Sequence, residues 1–544
     1  MSENNDVTLQ TFRALVESAD HKFARVRDVP AYGRVSQSHF FHKVFKAYTR
    51  LWKYQQENRS KLVQCGLKRW EIGEIASRIG QLYFSQYMRT SDIRFLVEAY
   101  VFYEAILSRR YFEGSEGSPR DLGVRSKELR FYARFLLVSI ILNRSEMVNH
   151  LMDRFVALVD DCRSNFRETN FKEWKQVVQE IVRFTKVDKG FNIRPLRYCT
   201  TFDTHRSSLP YVARFHAKRV LKFQDALLAS YHRNEVKFAE LTLDTYRMIQ
   251  CLEWEPSGLF YQKPTVKPSE NGDSIDHSGA SGIISMNLAA DMTDPSMPSN
   301  PRKATLYHPS VTHLIAVMAT ICEELPTDSV VLLYISASGK SGHSNVSPTG
   351  NSGGSSKYSR YKGLYQDLVI TAMHSRQVLH GAERGETAAL FLSPLRPIFK
   401  NPSEVHSHTG SQFTFFLTAP LSAFCQMIGV SPNEADADFY NEAENILANT
   451  FSEWEIILCS STSMDLVWAQ IITDPFIRRL ILRFIFCRSL LSFFCPPGES
   501  EQYIPLCLPQ LPPSVSPKAE AVRSVVTHLA MHFDVTDSFH FTDI

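Results

Sequence analysis

The sequence predicts an α+β multidomain protein: an amino-terminal all-α half of stacked helical pairs, tetratricopeptide-like, then an α/β layer with a largely parallel sheet and terminal helices. Three observations carry that prediction. Apolar residues recur at helical period through most of residues 7 to 255. Strand-like runs, VVLLYIS at 330–336, AALFLSP at 388–394 and FTFFLTAP at 413–420, are confined to the second half. Between the halves, Pro256 to Pro301 is dominated by Pro, Ser, Gly, Asp and Asn, a composition too polar to fold alone. The expected division is 1–255 for the helical scaffold, 256–304 for a disordered linker or long loop, 305–495 for the α/β domain and 496–544 for a proline-rich connector with a last amphipathic helix.

In chain order, residues 7 to 60 read as helix interrupted by Pro30 to Gly33. Phe41, Val44, Phe45, Tyr48 and Trp52 form its inner stripe, and its exposed side is basic. Gly66 to Phe112 reads as a helix pair. Ile72, Ile75, Ala76, Ile79, Leu82 and Tyr83 make one stripe, while Gly73, Ser77 and Gly80 make a strip of small residues. Each glycine costs about 1 kcal/mol against alanine inside a helix, so close approach of a neighbouring backbone is the expected compensation. The second helix, from Asp92, is apolar nearly all round and should be buried on most faces. Ala76, Ile79, Gly80, Tyr83, Ala99, Tyr103 and Ile106 approximate a tetratricopeptide signature with an overlong loop.

Residues 124–142 and 146–162 predict a second helical hairpin with Ser145 as N-cap. Asn170 with Glu173 resembles a capping box before a helix faced by Trp174, Val177, Val178 and Ile181. Two helices, 217–232 and 235–254, are expected to close the first half. In the second half a helix, Val311 to Glu324, precedes the strand at 330–336, and a Ser/Gly-rich insertion, 338–363, follows it. EIILCSS at 455–461 reads as a further strand. Phe476 to Phe494 has the length of a membrane span but carries Arg478, Arg479, Arg483 and Arg488, so a buried helix with one basic edge is expected. The last helix carries Val522, Val525, Val526, Leu529 and Phe533.

With 544 residues and 44% hydrophobic content, the chain can build sizeable cores. Its formal charge of +3 does not by itself argue for nucleic acid or an acidic membrane. MSENNDVTLQ has neither the basic nor the apolar region of a signal peptide, so neither secretion nor a membrane span is expected. The ten cysteines contain no CxxC pair, which fits reduced thiols in a cytosolic or nuclear protein.

Catalytic signals fail on context. Gly339, Lys340 and Ser341 follow a strand like the end of a phosphate loop, but the required first glycine is replaced by Tyr334. Gly350 to Gly354 matches a nucleophile elbow within low-complexity sequence, where nothing pins the serine. His39 and His42 have no evident third ligand. Pro509 to Pro512 gives one PxxP, read as a connector rather than a groove ligand. Arg50, Lys53, Arg59, Lys61, Lys68 and Arg69 could meet phosphate or an acidic partner, without the interleaved aromatics of single-strand binding. No catalytic, cofactor-binding or metal residue is therefore assigned, no cofactor is expected, and the chain is not read as an enzyme. The rival readings are a nucleotide-binding or enzymatic α/β module and a basic nucleic-acid-binding helical protein.

Four long segments carry a resemblance: GLKRWEIGEIASRIGQLYF at 66–84, VKFAELTLDTYRMIQCLEWEP at 236–256, YHPSVTHLIAVMATICEELPTDSVVLLYISASG at 307–339 and DPFIRRLILRFIFCRS at 474–489. Together they resemble the suppressor of cancer cell invasion (SCAI) family, in particular its plant-type members. The resemblance implies a nuclear, non-enzymatic, protein-binding transcriptional coregulator. Animal members act as corepressors of the serum response factor pathway through its myocardin-related coactivator, and take part in DNA double-strand break repair. The implied partners are transcription factors or coactivators and chromatin or repair proteins, with no membrane, no small-molecule substrate and no direct nucleic-acid binding. Two departures stand out. MSENNDVTLQ lacks the basic extension of animal members, and a family-typical apolar segment like PLFLIIDSDNS is missing before VLHGAERGE at 378–386. Either Asp367 to Met373 takes the place of that strand, or the second domain is compromised.

Overall fold

The computed structural model describes residues 2–27, 32, 34–112, 121–142, 144–166, 171–188, 221–231, 241–253, 286, 300–326, 328–337, 367–372, 388–394, 410–430, 437–495 and 502–541. The expected insertion 338–363 lies outside these, as does the expected linker apart from Met286 and residues 300–304. Two compact units emerge: residues 1–182 with 254–304, and residues 183–253 with 305–544.

The first unit is built on α1 (Ser2–Arg27), α2 (Arg34–Glu57), α3 (Arg59–Gln64), α4 (Arg69–Thr90), α5 (Ile93–Ser108), α6 (Leu122–Ile141) and α7 (Ser145–Asn165), and α8 (Phe171–Asp188) begins in it. The pairs α1–α2, α4–α5 and α6–α7 pack as hairpins, with α2 against α4 and α5 against α6. The turn between α4 and α5 is tight because Ser91 adopts φ +56° and donates its N–H to the Tyr87 carbonyl at 2.7 Å. Asp92 then caps α5 by accepting from Arg94 N at 3.1 Å. The small residues face inward as expected, but what meets them is aromatic rather than backbone. A Cβ on Gly80 would stand 2.8 Å from the Tyr103 ring, and one on Gly73 would stand 2.9 Å from Tyr111 Cβ. Arg78 of α4 pairs with Asp20 of α1 and with Glu74 at 3.1 Å, while the buried Tyr48 of α2 donates to Asp20 at 2.9 Å. One part-buried ionic group thus ties three helices. Arg144, not Ser145, occupies the cap position of α7, and Asn170 lies outside the described residues.

The second unit carries a six-stranded sheet in the order β2-β1-β3-β4-β5-β6: β1 (Lys222–Ser230), β2 (Arg302–Tyr307), β3 (Ser329–Ser336), β4 (Asp367–Ala372), β5 (Ala388–Leu392) and β6 (Leu506–Leu508). The α+β class holds. The parallel component is the β1–β3 ladder, from Lys222 opposite Ser329 to Ser230 opposite Ser336. Outward of β3 the pairings β3–β4, β4–β5 and β5–β6 run antiparallel, so the sheet is mixed where a largely parallel one was expected. Between β2 and β3 runs α10 (Val311–Glu324), a crossover long enough to return the chain to the same sheet.

Further elements depart from expectation. Residues 217–232 were expected as helix, yet Lys222–Ser230 is β1, and its position beside β3 places it in the second unit rather than in the helical scaffold. Lys, Gln, Ala and Leu favour helix locally, but pairing with the β-branched run of β3 overrides that preference. FTFFLTAP is helix α11 (Gln412–Thr418), running into α12 (Pro420–Ile428), and Ser411 starts it by accepting from Thr414 N at 3.3 Å. EIILCSS belongs to the end of α13 (Ala437–Ser460). Short apolar runs buried on every side lose the periodicity that separates strand from helix. The helix expected at 235–254 is described as α9 (Leu243–Cys251).

The long arginine-bearing helix is α15 (Pro475–Phe494), preceded by α14 (Leu466–Ile471) and followed by α16 (Glu520–His532). No basic edge exists on α15. Arg478, Arg479 and Arg483 are buried, Arg483 with 0% exposure, and Arg488 is half-buried. Phe391 of β5 stacks on Phe484 of α15 at 4.2 Å and on Trp468 of α14 at 5.1 Å, which sets the helix against the sheet. The connector after α15 is part of the fold: β6 pairs with β5, and Trp468 Nε1 donates to the Pro509 carbonyl at 2.8 Å. No described helix is long and apolar enough to cross a membrane.

Candidate functional site

Enzyme-like chemistry needs converging polar groups beside a space for substrate. Polar groups converge in the second unit, and among the described residues they are sealed inside it. At the carboxyl end of β3, Ser336 donates its hydroxyl to Asp244 Oδ2 at 3.1 Å, and Ser411 N donates to Asp244 Oδ1 at 3.0 Å. Arg247 sits one turn along α9, 4.0 Å from the same carboxylate and 4.1 Å above the Phe415 ring. Gly410 is required there: its φ is +76°, and a Cβ would lie 2.5 Å from Asp244 Oδ1. Asp244 and Arg247 both have 0% exposure. The cluster joins β3, α9 and α11 from within.

Arg483 of α15 does similar work, donating to the carbonyls of Leu417 at 2.7 Å and Thr418 at 3.2 Å and lying 3.0 Å from Cys251 Sγ. It closes the C-terminal end of α11, where helical carbonyls lack intrahelical donors. Asp474, the N-cap of α15, accepts from Phe223 N of β1 at 2.8 Å, Phe476 N at 2.9 Å and Ile477 N at 3.3 Å. Burial pushes its carboxyl up to about 6 against the opposing pull of those bonds and of Arg478. Between α13 and α15 is a cavity of about 20 Å³ lined by Phe451, Glu455, Arg478, Arg479 and Leu482, with Arg478 Nε 3.0 Å from Glu455. That volume admits one water, not a metabolite.

Burial also pushes the Cys425 thiol up to about 12 and that of Cys162 up to about 11, which keeps both as protonated core residues rather than nucleophiles. The nine described cysteines are free thiols. Among the described residues, no group of three His, Cys, Asp or Glu could hold a metal ion. Gly339 to Ser341 and Gly350 to Gly354 lie outside the described residues, and His39 and His42 are exposed on α2.

Among the described residues, faces of two helices are candidate surfaces for partners. On α10 only Val317 and Ile321 are buried, while Val311 is 58% and Ile315 56% exposed, with Ala319 continuing the same stripe. An apolar helix left open along one side is the kind of surface that partners cover. On α2 the outward stripe is Lys43, Lys46, Arg50 and Lys53, opposite the buried Phe41, Val44, Tyr48, Leu51 and Gln55. The sequence had shown the basic side of α2. It had not shown α10's open face, because apolar residues fall on every side of this helix and give no sign of which side is left uncovered.

Comparison with known proteins fits a chain whose features are surfaces. A family model described as Protein SCAI matches residues 14–371 and 367–497. The two matches share residues 367–371, so β4 stands at the end of one and the start of the other. The chain is 30% identical to Protein SCAI of Mus musculus and to Protein SCAI of Homo sapiens over 572 aligned residues, 98% of this chain and 89% of each relative. It is 32% identical to Protein SCAI homolog of Dictyostelium discoideum over 404 residues, 62% of this chain and 51% of that relative. No solved structure matches. With the family model spanning most of the chain and full-length relatives at 30% identity, the chain belongs to the SCAI family.

Proposed function

We propose that the protein is a non-enzymatic, protein-binding transcriptional coregulator of the corepressor kind, working in the nucleus, with DNA double-strand break repair as a second setting. The observation that carries this reading is similarity to Protein SCAI along 98% of the chain. The molecule supports it with helix faces open to partners and with polar clusters sealed inside the second unit. Its partners on this reading are transcription factors or coactivators and chromatin or repair proteins. Affinity capture of the full chain from nuclear extract, with mass spectrometry, tests it: transcription or repair factors should be recovered, and their absence together with exclusion of the protein from nuclei overturns it.

A nucleotide-binding α/β module is the weaker reading. The end of β3 meets the buried carboxylate of Asp244, which already takes up the Ser411 N–H and faces Arg247, so the donors a phosphate would need are used within the core. A thermal-shift series with nucleotides at millimolar concentration should give no shift.

A further inference from the structure

Charge in this chain is unevenly placed. Between Arg34 and Arg69 the sequence holds nine Lys and Arg against one acid, Glu57, although the whole chain carries only +3. The structure turns part of that excess into a line. Lys43, Lys46, Arg50 and Lys53 lie at i, i+3, i+7 and i+10 on α2, all exposed, over about 15 Å of helix at 1.5 Å per residue. Among the described residues Lys43, Lys46 and Arg50 have no acidic partner. Lys53 alone is paired, with Glu57 at 3.9 Å, and both side chains are well exposed. Arg59, Lys61 and Lys68, on and just after α3, are exposed as well and continue the basic character.

We propose that this face of α2 docks an acidic helical segment of a partner protein. The spacing selects a helix. Offsets of three and four residues are the repeat at which two helices laid side by side keep facing each other, so Glu or Asp at the same spacing would meet every cation. An extended strand presents alternate side chains every 6 to 7 Å, roughly, and falls out of step with this stripe. The far end selects protein over a phosphate backbone. Glu57 ends the stripe on α2 with a negative charge before Arg59, Lys61 and Lys68 resume the basic character, a break that a uniform polyanion meets as repulsion and that matches a peptide carrying Lys or Arg at that point. The stripe also comes from a single helix, whose exposed Phe40 packs against His39 at 3.9 Å at one end, and among the described residues no exposed Phe, Tyr or Trp alternates with the cations from Lys43 to Lys53. The inference rests on the protein-binding reading but on none of its nuclear or transcriptional content.

The test uses purified full-length protein and fluorescence anisotropy with three labelled probes: a helical peptide of about 20 residues with Glu at i, i+3, i+7 and i+10, a single-stranded oligonucleotide and a duplex of similar length. The peptide should bind, weakening about tenfold or more as NaCl rises from roughly 50 to 500 mM. Lys46→Glu combined with Arg50→Glu should weaken peptide binding about tenfold or more and leave the melting temperature unchanged, since both side chains are exposed. Lys518→Glu with Arg523→Glu should bind as the parent does, and a peptide with Lys in place of Glu should recover binding to the Lys46, Arg50 variant. Equal peptide binding by parent and that variant overturns the proposal. So does oligonucleotide binding that is tighter than peptide binding and is lost in the same variant, which would make the face a phosphate reader. Failure of the nuclear-extract capture leaves this peptide result untouched, so the two readings fail separately.

Discussion

Gly80 is where a single side chain sets the spacing of two helices. A Cβ there would stand 2.8 Å from Tyr103, whose ring is fully buried between α4, α5 and α6 and packs 5.8 Å from Phe135. Gly80→Leu should therefore destabilise the first unit by at least about 1–3 kcal/mol through overpacking, read as a lower melting temperature by circular dichroism. An unchanged melt would mean that the α4–α5 contact is misplaced. Arg483 makes a comparable prediction in the second unit. Replacing it with Met fills the space but abandons the Leu417 and Thr418 carbonyls, at about 1–3 kcal/mol for each group left without a donor. Asp474 adds a pH dependence. Its carboxyl ordinarily titrates near 3.8 and burial raises it to about 6, so the folded chain holds that proton more tightly than the unfolded one. The resulting stabilisation is full below about pH 4 and is lost as pH rises through about 6. Asp474→Asn keeps a capping oxygen and should flatten the denaturation profile across that window, by roughly 1–3 kcal/mol. An unaltered slope between the parent and this variant would contradict that assignment. The small-residue strip was legible in the sequence because periodicity puts Gly73, Ser77 and Gly80 on one side of a helix. Arg483 and Asp474 were not, because their partners lie on segments far away in the chain.

At the scale of elements, β4 answers the question raised by the missing family-typical segment. Its backbone pairs Val330–Ile335 of β3 on one side and Ala388–Leu392 of β5 on the other, so Asp367–Ala372 fills the slot between two strands that would otherwise each have an unpaired edge. The two family matches overlap at residues 367–371, within this strand. Hydrogen exchange checks it: the amides of residues 368–371 should exchange as slowly as those of β3, and rapid exchange would mean that β3 and β5 are not bridged. Amphipathic elements such as α2, α4, α7 and α16 were legible as helices because one side of each meets water. β1 and α11 were misread because they are buried on nearly every side, where composition alone is a weak guide and long-range pairing decides, and the end of α13 because a run of only seven residues is too short to separate strand from helix. Phe223 N of β1, for example, is held by Asp474, 251 positions along the chain.

At the scale of the whole molecule, polar and apolar groups divide between sealed interiors and open helix faces among the described residues. The described buried cations and carboxylates of the second unit are used in holding β3, α9, α11 and α15 to one another, while the stripes on α2 and α10 face outward. On the proposed reading a chain built that way works by contact; its membership of the SCAI family rests on similarity along nearly its whole length. The most direct measurement is affinity capture of the full-length protein from nuclear extract, analysed by mass spectrometry alongside its distribution in the cell. Recovery of transcription or repair factors with a nuclear protein is the predicted result. Recovery of none, with the protein excluded from nuclei, would contradict the account.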